Sequence, residues 1–268
     1  MTEKITSIQN PRIKNILRLQ KPSERKEQRL CTVEGFRELR MALEADFEID
    51  ELYYCPEIVN SEFRKWLKKH EAKFPGSVEI GKNVFERIAY RESTEGIYAL
   101  VRTKDRTLND LVLRKKPLLL ALEAVEKPGN LGAVLRTADA AALDAVIICD
   151  PHTDIYNPNV IRSSIGAVFT MPVVSCSSEE LMNWLKKKGI KSCAAVVEGS
   201  INYHEADYTM ASAIIMGTES TGLTKIWMEN ADARICIPMS GRMDSLNVST
   251  SAAIIVFEAM RQRKFSRN

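Results

Sequence analysis

The stretch that decides the fold is "LLLALEAVEKPGNLGAVLRTADAAALDAVIICD", residues 118–150. It begins with a continuous apolar run at 118–125, continues through a helical pattern near 131–142, and ends in a second apolar run at 145–150. Two short, continuously apolar runs joined by a helix indicate parallel strands that are buried on both faces. The stretch therefore predicts an α/β fold with a parallel sheet.

The same alternation continues to the end of the chain. Further predicted strands lie at 171–175, 193–199, 213–217 and 234–239. Further predicted helices lie near 157–169, 178–188, 222–230 and 247–264. Residues 117–268 are thus predicted to form one parallel-sheet α/β domain, and in such a sheet ligands bind beyond the carboxyl ends of the strands.

The N-terminal part is predicted to be a smaller α/β domain over residues 1–105, followed by a polar, charged linker at 106–116. Its predicted helices lie at 10–20, 35–45 and 61–73, and its predicted strands at 29–33, 50–55, 77–80 and 97–102. Residues 1–116 carry 24 Lys and Arg against 19 Asp and Glu, whereas the remainder carries 14 against 16. The basic excess includes Arg12, Lys14 and Arg18, and it indicates either a solvated helix face or a contact surface for a phosphate backbone.

Composition excludes several classes of protein. Hydrophobic residues make up 45% of the 268 residues and charged residues 27%, which is typical of a soluble globular protein. No apolar run is long enough to span a membrane, and the N-terminus lacks the apolar core of a secretory signal, so we expect a cytoplasmic protein. The six cysteines are scattered and are predicted to be free, buried thiols. The three histidines show no metal-ligand spacing, so no metal site is expected.

Three polar segments stand at the ends of predicted strands, and the first is "EKPGNLGAVLRTADA" at 126–140. Asn130 is suited to cap the helix that follows. Arg136 lies inside that helix among small apolar residues, so its side chain must reach solvent or meet an acceptor. The G-x-G-x-x-G spacing of a dinucleotide-binding loop is absent, which disfavours a nucleotide-dependent oxidoreductase.

The second and third segments are "AIIMGTESTGLT" at 213–224 and "CIPMSGRMDSLNVSTSAAIIVFEA" at 236–259. In the second, Glu219 stands between two glycines, which allow a backbone to approach a ligand closely; the alternative is an ordinary turn into the next helix. In the third, Ser245 and Asn247 precede the last helix, whose free amides suit a ligand with lone pairs. Capping alone would explain one of these polar residues but not the whole set.

Taken together, the three segments resemble the motifs of the SpoU (TrmH) family of RNA ribose 2′-O-methyltransferases. The matching patterns are N-x-G-A-x-x-R-T-A at 130–138, M-G-x-E-x-x-G-L at 216–223, and I-P-M at 237–239 with S-L-N-V-S at 245–249. In addition, "TVEGFRELRMALEA" at 32–45 resembles the L30e-like substrate-binding domain that accompanies many members.

The resemblance implies a SPOUT fold, in which the C-terminal part of the sheet threads a trefoil knot that binds S-adenosylmethionine. It implies a homodimer formed through the methyltransferase domain, no membrane association, and RNA bound by the N-terminal domain through Arg12, Lys14 and Arg18. The cofactor-binding residues that it implies are Gly217, Gly222, Ile237, Met239 and Leu246. The catalytic and substrate-binding residues that it implies are Asn130, Arg136, Glu219, Ser245 and Asn247.

Arg136 would be a demanding general base, because the pKa of arginine is about 12.5–13.8 in water. We favour the hypothesis that Arg136 clamps a phosphate beside the target ribose and stabilises the developing alkoxide. Glu219 would then orient Arg136 or accept the proton.

Ribosomal RNA is favoured over tRNA as the substrate, because a separate N-terminal domain accompanies many members that act on rRNA. A tRNA ribose methyltransferase, a base methyltransferase of the same fold and a catalytically silent RNA-binding protein stay open as alternatives. The intact set of Asn130, Arg136, Glu219 and Asn247 argues against the silent protein, which has no need of all four.

Overall fold

The computed structural model describes residues 4–70, 73–74, 76–90, 95–197, 201–218 and 221–266. Its helices are α1 Pro11–Arg18, α2 Pro22–Gln28, α3 Phe36–Glu44, α4 Ser61–His70, α5 Lys82–Ile88, α6 Pro128–Ala140, α7 Pro158–Ser163, α8 Ala167–Thr170, α9 Ser178–Lys188, α10 Lys225–Asn230 and α11 Val248–Gln262. Its strands are β1 Lys4–Ile5, β2 Leu30–Glu34, β3 Ile49–Tyr54, β4 Ser77–Ile80, β5 Ile97–Arg102, β6 Leu118–Glu123, β7 Ala145–Cys149, β8 Val173–Cys176, β9 Lys191–Ala195, β10 Ile201–Asn202, β11 Ser212–Met216 and β12 Ala233–Cys236.

The chain packs into two compact units, each formed from two stretches of sequence. The first unit comprises Met1–Lys104 with Ile155–Thr170, and the second comprises Asp105–Asp154 with Met171–Asn268. The domain boundaries at residues 105 and 117 stay a prediction from the sequence.

The described strands of the first unit form a mixed sheet in the order β1-β4-β3-β5-β2. Strands β1, β4 and β3 run parallel, and β5 runs antiparallel to both β3 and β2. A cluster of buried side chains from the sheet, α1 and α5 forms a core that includes Ile13, Ile16, Tyr53 and Phe85. The N-terminal part is therefore a small α/β unit, as predicted.

Residues 155–170 form a pair of short helices within the first unit, where the sequence predicts one helix over 157–169. The pair is broken because Ile165 and Gly166 adopt left-handed φ values of 54° and 84°. A Cβ on Gly166 would lie 3.2 Å from the Cα of Glu38 on α3. The break lets α8 approach α3 closely, and it places the ring of Phe169 5.0 Å from that of Phe47.

The second unit contains a seven-stranded sheet, counted over the described residues, in the order β10-β12-β9-β11-β6-β7-β8. Every pair in it is parallel. The predicted parallel α/β fold is confirmed, and β6, β7 and β11 are buried along their whole length. The trefoil knot stays a prediction.

Two features outside the site stabilise the second unit. Asp144 is buried and accepts hydrogen bonds from the Arg114 guanidinium at 2.7 and 2.9 Å and from the Leu118 N–H at 2.8 Å. Burial alone would raise the pKa of Asp144, but these hydrogen bonds outweigh it and lower the pKa. Helix α9 begins with a capping box between Ser177 and Glu180 and ends at Gly189, whose φ is 65°.

Helix α2 and helix α5 were not predicted from the sequence, and neither were the two-residue strands β1 and β10. Helix α2 has the polar sequence PSERKEQ, in which only Arg25 is buried, so no apolar periodicity marks it. The six cysteines are free thiols, of which Cys31, Cys55, Cys149 and Cys193 are buried as predicted, whereas Cys176 and Cys236 are only partly buried. Among the described residues, no helix is long and apolar enough to cross a bilayer, and no cluster of potential metal ligands occurs.

Candidate active site

A cavity of about 490 Å³ lies at the carboxyl ends of β9, β11 and β12. The strand ends contribute Ala195, Val196, Val197, Met216 and Ile235 to its wall. The loops after β11 and β12 contribute Gly217, Thr218, Thr221, Gly222, Leu223, Ile237, Met239, Asp244, Ser245 and Leu246. Val248, Ser251 and Ile255 of α11 contribute further wall. The cavity is therefore where the parallel-sheet rule predicts a ligand.

The loop after β11 folds back on itself. The Thr218 N–H donates to the Gly222 carbonyl at 3.2 Å, and the Gly222 N–H donates to the Thr218 carbonyl at 3.1 Å. A Cβ on Gly217 would lie 2.2 Å from the carbonyl carbon of Gly222, and Gly222 itself has a φ of 66°. Glycine is therefore required at Gly217 by the close approach of backbone, which is the role predicted for glycines in this segment.

The start of α11 joins the first and third predicted segments. Asn247 is the N-cap residue of α11, and its side-chain oxygen accepts from the Ser249 N–H at 2.9 Å. The Nδ2 atom of Asn247 donates to Oδ1 of Asn130, in the first turn of α6, at 3.2 Å. Ser245 lines the cavity just before this helix. The structure thus brings Asn130, Ser245 and Asn247 to one end of the cavity.

Among the described residues of the predicted catalytic set, Ser245 lines the cavity, whereas Asn130, Asn247 and Arg136 do not. Arg136 is exposed on α6 and, among the described residues, its side chain forms no hydrogen bond or ion pair. Glu219 lies outside the described residues, so the predicted contact between Glu219 and Arg136 stays a prediction.

The three predicted RNA-binding residues all lie on α1 in the first unit. The Arg12 guanidinium lies 3.4 Å from the Glu51 carboxylate, and the Arg18 guanidinium lies 2.8 Å from that of Glu24. Lys14 is exposed. Surface ion pairs of this kind are weak, about 0–1 kcal/mol, so a phosphate can compete for both arginines.

The sequence did not reveal the contribution of β9 to the cavity. In the sequence analysis, residues 195–197 were assigned only to a strand, because local sequence does not determine which strands of a parallel sheet are neighbours. Val197 lies two residues beyond β9 and is 63% exposed. Asp244 lies in the same loop as Ser245 and accepts from the Ser245 hydroxyl at 3.1 Å.

Comparison with known proteins gives the decisive observation: the sequence model of the SpoU rRNA methylase family matches residues 117–257. The chain belongs to the SpoU rRNA methylase family. A second match, to the MRM3-like substrate binding domain, covers residues 10–99. The predicted family is confirmed, and so is the enzyme class, an RNA ribose 2′-O-methyltransferase.

Members of the SpoU family resemble the chain over nearly its full length. The Bacillus subtilis protein named 23S rRNA (guanosine(2553)-2′-O)-methyltransferase RlmP is 29% identical over 262 residues, which are 95% of this chain and 98% of that protein. A crystal structure described as an RNA 2′-O ribose methyltransferase is 38% identical, covers 97% of this chain and 99% of that chain, and has a TM-score of 0.85. The AdoMet-bound rRNA methyltransferase from Sinorhizobium meliloti is 29% identical, covers 97% and 98% of the two chains, and has a TM-score of 0.89.

Proposed function

We propose that the protein transfers a methyl group from S-adenosylmethionine to a ribose 2′-hydroxyl of ribosomal RNA. The observation that carries this proposal is the cavity at the strand ends, because all five residues predicted to bind the cofactor line it. The relatives support the same substrate: the Bacillus subtilis relative is named for 23S rRNA, and the Sinorhizobium meliloti relative is an rRNA methyltransferase with bound AdoMet.

The cavity fits S-adenosylmethionine in size and chemistry. Its volume of about 490 Å³ is in the range of small-molecule sites. Leu223, Ile235 and Ile255 provide apolar surface for a flat heterocycle, while the exposed backbone of the Gly217 loop and the hydroxyl of Thr218 provide hydrogen-bonding groups. When bound, S-adenosylmethionine supplies an electrophilic methyl group on a sulfonium.

The residues of the chain then position and polarise the ribose hydroxyl. Holding the reacting atoms in line supplies up to about 7–11 kcal/mol of the barrier reduction in favourable cases. Asn130 and Asn247, joined by their hydrogen bond, and Ser245 present amide and hydroxyl groups beside the cavity. Arg136 binds a phosphate next to the target ribose and stabilises the negative charge that develops on the 2′-oxygen.

The substrate is tested by methyl transfer from tritiated S-adenosylmethionine to total rRNA and to tRNA, both taken from cells that lack this protein. We expect label in rRNA at one ribose, located by mapping 2′-O-methyl positions. Label confined to tRNA would favour the tRNA alternative, and label on a base would contradict ribose methylation. Titration with S-adenosylmethionine by calorimetry separates the enzyme from a catalytically silent RNA-binding protein.

The protein is proposed to act as a homodimer through the second unit. The exposed apolar side chains of this unit include Met243, which is 72% exposed, Leu246, which is 39% exposed, and Phe257 of α11, which is 43% exposed. A second copy of the chain would cover this surface, and it would stand close to the cavity that Leu246 lines.

The dimer is tested by the substitution Phe257→Asp, which places a charge in the expected interface. Sedimentation equilibrium should show the mass of a dimer for the wild-type protein and of a monomer for the variant, because burying an unpaired carboxylate is costly. Val112→Asp is the matched control, since Val112 is also an exposed apolar residue of the second unit. A wild-type monomer would contradict the proposal.

The first unit is proposed to bind RNA through α1. Replacing Arg12, Lys14 and Arg18 together with glutamine should weaken rRNA binding and reduce the slope of log Kd against log salt by about 2, because each phosphate contact releases counterions. Filter binding at several salt concentrations measures both quantities. Replacing Lys65, Lys68 and Lys69 of α4 with glutamine changes the charge equally and is the control. Equal losses in the two variants would mean that the effect is one of overall charge.

A further inference from the structure

Glu123 is a buried carboxylate that the proposed chemistry does not use. It is the last residue of β6, and only 2% of its surface is exposed. Its two oxygens accept hydrogen bonds from the Thr224 N–H at 2.7 Å, the Thr224 hydroxyl at 2.8 Å and the Ser178 hydroxyl at 2.7 Å. One side chain therefore joins the end of β6, the start of α9 and the residue before α10.

The hydroxyl of Thr224 has an unusual direction for its place in the fold. Thr224 is the N-cap residue of α10, and a threonine at this position normally accepts a hydrogen bond from an amide of the helix's first turn. Here the Thr224 side chain makes no capping hydrogen bond. Both its N–H and its hydroxyl donate to Glu123 instead, so the position of Thr224 is set by the carboxylate.

Thr224 ends the loop that follows β11. This loop begins at Gly217, closes through the two hydrogen bonds between Thr218 and Gly222, and supplies much of the cavity wall, ending with Leu223. Its first end is fixed by β11, which is paired on both sides within the sheet. Its second end is held by the bonds from Thr224 to Glu123.

A buried carboxylate without a cation is costly, and its hydrogen bonds must offset that cost. Among the described residues, Glu123 forms no ion pair with a lysine or arginine. The Ser178 hydroxyl also lies 2.7 Å from the Asp150 carboxylate, so Glu123 does not have this donor to itself. The N–H and hydroxyl of Thr224 are therefore the two hydrogen-bond donors of Glu123 that no other carboxylate shares.

We propose that Glu123 is a positioning residue for cofactor binding, which acts through Thr224 to hold the neighbouring cavity-lining residues Gly222 and Leu223 in their binding conformation. The inference rests on the proposed function, because it assigns the cofactor to the cavity that this loop lines. Glu123 does not line the cavity, so it acts only through the loop.

The test compares Glu123→Gln with the wild-type protein by calorimetric titration with S-adenosylmethionine. Glutamine keeps the size of the side chain but turns one acceptor into a donor, so the Thr224 N–H or hydroxyl loses its acceptor. We expect the Kd for S-adenosylmethionine to rise about tenfold, the size of effect expected when a hydrogen bond to a charged group is lost. We also expect faster hydrogen exchange of the Thr224 amide in the protein without cofactor.

Three further variants separate positioning from a general loss of stability. Thr224→Val should raise the Kd as Glu123→Gln does. Thr224→Ser should bind S-adenosylmethionine like the wild-type protein, because it keeps the hydroxyl. Glu180→Gln removes a carboxylate from the capping box of α9, where it bonds to Ser177 and forms no hydrogen bond with Glu123 or Thr224, and it should leave the Kd unchanged. Far-UV circular dichroism identifies any variant that fails to fold. If Glu123→Gln does not fold, the proposal is tested with Thr224→Val instead.

The outcomes are distinguishable. Wild-type affinity in both Glu123→Gln and Thr224→Val would overturn the positioning role while leaving the proposed function intact. Equal weakening by Glu180→Gln would also overturn it, because the effect would then follow stability alone. If the wild-type protein does not bind S-adenosylmethionine, the proposed function fails and the inference fails with it.

Discussion

Replacing Gly217 with alanine is expected to weaken S-adenosylmethionine binding about a hundredfold or more. The added Cβ would lie 2.2 Å from the carbonyl carbon of Gly222 and 2.4 Å from its oxygen, so backbone atoms must move. The movement would break the pair of hydrogen bonds between Thr218 and Gly222 and displace the loop that lines the cavity. Calorimetric titration measures the loss, and circular dichroism checks that the variant is folded.

Gly241→Ala is the matched control for this prediction. Gly241 lies in the loop after β12, and a Cβ added there would meet no atom within 4 Å. This variant should bind S-adenosylmethionine like the wild-type protein. If Gly217→Ala binds the cofactor normally, the loop after β11 is not part of the cofactor site, and the assignment of the cavity must be abandoned.

The second large effect is expected at Arg136. Removal of a single group that stabilises a developing oxyanion costs roughly 10²–10³ in rate, so Arg136→Ala should lower the single-turnover rate by about that factor. If Arg136 also clamps a phosphate, the same substitution should weaken RNA binding and reduce its salt dependence. Arg136→Lys keeps the charge but loses the bidentate geometry of the guanidinium. It should therefore lower the single-turnover rate by a larger factor than it lowers the RNA affinity.

The phosphate clamp and the stabilisation of the developing oxyanion are separated by measuring RNA affinity and single-turnover rate for each Arg136 variant at several salt concentrations. A lost rate with unchanged RNA affinity at every salt concentration would exclude the phosphate clamp and favour a purely chemical role. The affinity for S-adenosylmethionine is the internal control, because Arg136 does not line the cavity. A normal rate in Arg136→Ala would remove Arg136 from the catalytic set altogether.

The strands of the second unit were predictable because a strand that is buried on both faces has a nearly continuous apolar sequence. A strand of a covered parallel sheet is apolar at nearly every position, and β6, β7 and β11 are therefore visible as almost continuous apolar runs. The order of the strands was not predictable. Strand β11 pairs with β6 and β9, and local sequence patterns do not determine which strands pair. The break between α7 and α8 was missed because it depends on the approach of α3 to Gly166.

The cavity was predictable to the extent that its residues follow strand ends in short motifs. Ser245, Leu246 and Ile237 all line it, and so do both glycines of the loop after β11. The role of Glu123 could not be predicted, because a single acidic residue at the end of an apolar run has the pattern of an ordinary strand terminus. Its bonds to Thr224 span 101 positions, and only the folded chain brings them together.

The two short helices of residues 155–170 have a consequence for the order of events during protein synthesis. The ribosome makes the chain from its N-terminus, and a domain generally folds once all of its parts have emerged. The first unit lacks α7 and α8 until residue 170 has emerged from the ribosome, although its other elements end by Lys104. By that time β6, α6 and β7 of the second unit have already left the ribosome. Neither unit can therefore be completed before the other has begun, and a nascent chain stopped after Lys104 would leave uncovered the face of α3 on which Gly166 packs.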